Sequence, residues 1–170
     1  MQDDFSSWQN DNFNQSGHNN PPTPSYPMKW HKFLIYFALW AGAILNVLSA
    51  LTYLTGTVYS AQGVEAEQVY RVFGGLKGLD VLYGVLLIGL GVIQIFTRFQ
   101  LAGFKRNGPS LLLVTYAAGL IVSLLYGVIG AGILGTSITE TINPVSIGVT
   151  IGMIVANKGY YDKRKELFIH

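Results

Sequence analysis

The residues that could do chemistry are few and widely spread. His18, His31 and His170 lie near the two ends of the chain, with no spacing that would gather them as metal ligands and no neighbouring nucleophile. Cysteine is absent, so there is no disulfide framework, no thiol nucleophile and no thiolate zinc site. Glu140 is a lone acid. Asp80, Gly84, Gly91, Gln94 and Arg98 share one helical stripe that is polar only at its ends, and Asp80 is expected to stabilise a helix N-terminus, where the helix dipole favours an anion. Asn46 is the most deeply placed strongly polar side chain of an apolar stretch. Its amide needs a partner, for which Ser49 and Tyr53 on the same face and Ser123 across an interface are candidates. No cofactor or metal site is expected from this set.

The elements that must position these groups are long apolar runs. Half the residues are hydrophobic (50%) and only 12% are charged, too few to coat a water-soluble particle. Spans are predicted at about 33–55, 80–97, 110–135 and 138–157, which gives an all-α fold, a four-transmembrane-helix bundle over residues 29–170. The fourth is the shortest, with Asn143 and Pro144 suited to a cap and first helical position. Residues 1–28, rich in Asn, Gln, Ser and Pro, read as a disordered polar leader without the pattern of a signal peptide. Between the first two spans, Val64, Val69, Val72, Phe73 and Leu76 oppose Glu65, Glu67, Gln68 and Arg71. That pattern predicts a short outer amphipathic helix, either covering the ends of the bundle or offering a docking element.

Basic residues set the orientation. Lys29, Lys32, Arg98, Lys105, Arg106, Lys158, Lys163, Arg164 and Lys165 fall on one side of the predicted spans, as membrane-surface anchors, and leave only Arg71 and Lys77 of the 11 Lys and Arg residues on the other. Both termini are therefore expected in the cytoplasm. Tyr160, Leu167, Phe168 and Ile169 interleave with the last basic residues, a mixture suited to an anionic inner leaflet.

Small residues recur at four-residue steps in three spans: Ala38, Gly42, Asn46 and Ala50; Thr115, Gly119, Ser123, Gly127, Ala131 and Gly135; Gly148, Gly152 and Ala156. Ridges of this kind let helix backbones approach closely, and the three faces are expected to pack together, within one chain or between copies.

The Lys32-Phe33-Leu34-Ile35-Tyr36-Phe37 opening, the Asn107-Gly108-Pro109 turn and the ending from Asn157 to Phe168 resemble small uncharacterised four-helix membrane proteins of Gram-positive bacteria. The resemblance covers residues 29–170 and implies a multi-pass protein of the bacterial plasma membrane, with no activity to carry over. Some members of that group bear an N-terminal cysteine-rich zinc ribbon, from which this chain departs. No ionisable residue lies in the middle of a predicted span, which disfavours coupled transport. The basic residues mark a membrane boundary and not a nucleic-acid face. The expectation is a non-enzymatic binding, scaffolding or accessory subunit whose partners are the lipid bilayer and a membrane protein or further copies of itself, with the tail and outer helix as contact surfaces. The alternative is a passive channel formed by an oligomer packed through the third span. Tags placed at Met1 and at His170 should both be unreachable from outside intact cells and both become reachable on permeabilisation.

Overall fold

In hydrocarbon every backbone amide needs a partner within its own helix or a closed barrel. The computed structural model describes residues 28–169, and these form helices, with no strand among the described residues. The expected disordered leader falls on residues 1–27, outside the described residues, apart from Met28.

Helix α1 (Lys29–Thr55) contains one wider π-turn, Leu34–Ala38, and stops at Gly56, whose φ of 75° is the left-handed conformation that ends helices. Two short helices follow, α2 (Thr57–Ser60) and α3 (Ala66–Val72), then α4 (Leu76–Ala102) and α5 (Gly108–Leu134). A single turn, α6 (Ile138–Thr141), leads to α7 (Pro144–Asp162), and a 3-10 turn, Lys165–Leu167, ends the described chain. Helices α1, α4 and α5, of 27 residues each, are long and apolar enough to cross a membrane. At ~1.5 Å per residue they extend ~40 Å, against a hydrocarbon core of ~30 Å. The second span is thus longer at both ends than the predicted 80–97, because a helix projecting into the headgroup layer carries Lys77 and Arg98 without burying them in lipid. Many large apolar side chains face outward on these helices, among them Leu45 at 61% exposure and Val92 at 63%, as a lipid-facing surface requires.

Helix α7 is shorter, with 19 residues. It does not begin at 138 as predicted: Ile142 and Asn143 are extended, the Asn143 side chain accepts a hydrogen bond from the Val145 amide (2.9 Å), and Pro144 opens the helix. The preceding turn folds back along α5. There Thr141 donates to the Gly127 carbonyl (3.0 Å), and a Cβ at Gly127 would lie 2.5 Å from Ile142 Cγ1. Helix α7 therefore starts level with Gly127, about two turns short of the end of α5, and is ~28 Å long. Its far end returns to the start of α1, where Trp30 Nε1 donates to Asn157 Oδ1 (2.9 Å), so the two ends of the described chain meet.

The long helices pack in order along the chain, α1 on α4, α4 on α5 and α5 on α7, whereas α1 and α7 do not pack along their lengths. Close approach is built differently from the ridge expectation. The first-span ridge lies on α4, where a Cβ at Gly84 would sit 2.8 Å from Leu54 Cγ and 3.2 Å from the Ala50 carbonyl oxygen, and one at Gly91 would sit 3.3 Å from the Ala43 oxygen. A Cβ at Gly42 would meet Gln94 Oε1 at 3.0 Å. Two glycines seven residues apart on α4 thus set the distance to α1. Gly148 and Gly152 face open space and Ala156 is exposed, so the α7 ridge meets neither of the others. Overpacking an interface this close costs about 1–3 kcal/mol. Gly84→Val should accordingly lower the unfolding midpoint in detergent, and Gly148→Val should leave it unchanged.

Candidate functional site

Asp80 is wholly buried, one turn inside α4, and is not in the first turn where the helix-dipole reading placed it. Three phenol hydroxyls donate to it: Tyr59 and Tyr70 to Oδ2 at 2.6 and 3.0 Å, and Tyr126 to Oδ1 at 2.9 Å. These donors come from α2, α3 and α5, so one carboxylate ties both short outer helices and the third long helix to α4. Around it Tyr53, Tyr83 and Tyr126 form a ring triangle, with centroids 4.2 Å apart for the stacked Tyr83–Tyr126 pair and 4.8 and 5.2 Å for the edge contacts of Tyr53. No basic side chain pairs with Asp80 among the described residues. Hydrogen bonds from phenols take the place of water around the charge. Burial first, then the bond to Asp80 and its charge, push the Tyr70 hydroxyl up to about 12 and raise Tyr59 further, so both stay protonated as donors throughout the neutral range.

The inward face of α3 is Ala66, Val69 and Tyr70, while Val72 is 73% exposed. The apolar stripe expected there is therefore only partly the packed face, because the phenol has to reach Asp80. Next to this cluster lies a cavity of about 340 Å³, lined by Tyr53, Tyr59, Tyr126, Gln62 and Thr141 among others.

A second polar group lies midway along the helices. Asn46 Nδ2 donates to Gln94 Oε1 at 3.1 Å, so its partner comes from α4 and not from Ser49, Tyr53 or Ser123. The Thr97 and Thr115 hydroxyls are 2.9 Å apart, and each also lies 2.8 Å from the carbonyl four residues earlier. Two hydroxyl hydrogens thus serve three short contacts. Asn46, Gln94, Thr115, Ser123 and Thr150 line a cleft of about 250 Å³, floored in part by Gly119, which has no neighbouring side chain where its Cβ would be. The third-span ridge is divided accordingly. Thr115, Gly127 and Ala131 are buried, Gly119 and Ser123 border the cleft, and Gly135 ends the helix with a φ of 68°.

Where the two ends of the described chain meet, His31 is 2% exposed and its Nδ1 is 3.0 Å from the Tyr161 hydroxyl, with Phe104 and Phe168 packed on the ring. Phe168 is buried in this cap, while Ile169 beyond it is exposed. Arg98 is half-buried and donates Nε to the Ile35 carbonyl in the π-turn (3.2 Å), with Trp40 and Phe99 beside the guanidinium. Lys29, Lys32, Lys105, Arg106, Lys158, Lys163 and Lys165 are exposed, and Arg164 is half-buried against Tyr160.

Comparison of the chain with protein-family models, with curated proteins and with solved structures found no match. What the fold and these sites define is a class: an all-helical protein with three membrane-length apolar helices and one buried carboxylate held by tyrosines. Sequence reasoning did not find Tyr59, Tyr70 and Tyr126, whose distances along the chain from Asp80 fit no local pattern. The available signal was an excess of tyrosine, 10 in all, with several near the same ends of the spans. A hydrogen bond to a charged group contributes about 1.5–3 kcal/mol. Tyr126→Phe should destabilise by that amount and speed hydrogen exchange in α2 and α3, and Asp80→Leu should do more, since it orphans three hydroxyls at once.

Proposed function

We propose that the chain is a non-enzymatic multi-pass protein of the bacterial plasma membrane, with α7 as its fourth span and both termini cytoplasmic, acting as an accessory or binding subunit for another membrane component. The observation that carries this reading is the cleft between α1 and α7, midway along the helices. Its amide and hydroxyl lining faces space that the described residues do not fill, and lipid tails solvate such groups poorly. A transmembrane helix docked over it would present small or hydroxyl side chains to it. It would bring hydrogen-bond partners to Asn46, Gln94 and Ser123 and lie against Gly119. The Asp80 cluster supports a binding role over a chemical one, because its three donors are committed to holding α2, α3 and α5 on α4. Nine of 11 basic residues beside one set of helix ends support the orientation.

The same uncharged polar lining favours the second reading, a passive facilitator in which several copies line a path. One substitution separates the two. Gly119→Leu extends into the cleft from a position whose Cβ would meet no described neighbour, and it is read beside Gly119→Ala, whose unfolding midpoint should match the wild type. For a subunit, Gly119→Leu should abolish co-purification of a stoichiometric membrane partner, and wild-type protein in liposomes should raise no solute or ion flux. Flux that is present in the wild type and lost in Gly119→Leu would establish the facilitator instead.

A further inference from the structure

At the end of the bundle where the ends of the described chain meet, the loop between α4 and α5, the start of α5 and the end of α7 enclose a cavity of about 330 Å³. Arg106, Lys158 and Lys165 border it, with Ser110 from the first turn of α5. Its apolar wall is Leu113, one turn deeper along α5 than Pro109, together with the buried ring of Phe168. Asp162 also lines it and pairs with Lys165 at 3.3 Å, which partly neutralises one of the three cations. Arg106 and Lys158 form no ion pair with any described residue. Asn107 provides no side-chain cap to α5, so the partial positive charge of that 27-residue helix adds to the same side of the cavity.

We infer that this cavity is a binding site for an anionic phospholipid, with the headgroup phosphate between Arg106, Lys158 and Ser110 and the first acyl carbons against Leu113 and Phe168. A cationic rim continuous with an apolar wall, at the point where a membrane-length helix begins, matches an amphiphile whose charge and hydrocarbon are joined. A free phosphate would use the rim and leave the wall unused. Uncompensated cations there give selectivity for a net-negative lipid over a zwitterionic one of the same chain length. The site lies apart from the cleft between α1 and α7 and does not depend on what occupies that cleft.

The test is native mass spectrometry of the full chain released from mixed nanodiscs containing equal phosphatidylglycerol and phosphatidylcholine. Wild-type protein should retain phosphatidylglycerol roughly ten-fold or more over phosphatidylcholine, and the Arg106→Gln/Lys158→Gln pair should reduce that ratio to near parity. Both side chains are exposed, so the variant should keep its helical circular dichroism and unfolding midpoint. Lys29→Gln/Lys32→Gln, which removes two cations from the same membrane face outside the cavity, should retain the wild-type ratio. Equal retention of the two lipids by the wild type, or an equal loss of selectivity in the Lys29→Gln/Lys32→Gln protein, would overturn the site. Displacement of the lipid by glycerol phosphate at matched concentration would show a soluble phosphate site and overturn the lipid assignment.

Discussion

A carboxylate removed from water has to be solvated by something else, and at Asp80 that role falls to three phenols from three separate elements. No cation offsets the charge among the described residues, so each hydroxyl removed leaves the buried carboxylate less solvated. The consequence is architectural. Helices α2 and α3 have four and seven residues, too short to be stable alone, and they are held because Tyr59 and Tyr70 complete the shell of an anion fixed on α4. Tyr126 brings α5 into the same arrangement, and its stacking on Tyr83 makes the α4–α5 contact at this level aromatic.

Helix length explains the remaining layout. Helices of ~40 Å overshoot a ~30 Å core, and their projecting ends become surfaces on which connecting segments fold. The Asp80 cluster uses the ends of α4 and α5 in this way, and the turn before α7 uses the flank of α5 at Gly127. At the opposite end, His31, Tyr161, Phe104 and Phe168 gather the two ends of the described chain into an aromatic cap. Contacts between α1 and α7 are concentrated at this cap, and the separation between these helices farther along accounts for the polar cleft.

The small residues show how far periodicity reaches. Four-residue spacing correctly marks positions where a Cβ is absent or small, but a stripe has no partner written into it. The ridge on α1 closes on Gly84 and Gly91, which read in sequence merely as members of a stripe with polar ends, while a Cβ at Gly148 or Gly152 of an equally regular stripe would meet no described residue. Asn46 is similar. Burial of an amide dictates that it find a partner, but the choice of Gln94 follows from the rotation of α4 about its axis, which the packing of Gly84 and Gly91 sets.

Sequence alone determined that the chain is helical, that three stretches are long and apolar enough to cross a bilayer, and that Asn143 and Pro144 start a helix, because hydropathy, length and capping depend on neighbours along the chain. Tertiary structure decided which tyrosines serve Asp80, which glycines set the closest helix contact, and where the cleft and the basic cavity open. Those outcomes depend on the relative rotation and offset of whole helices, and these are fixed by packing and hydrogen bonds between residues far apart in the chain.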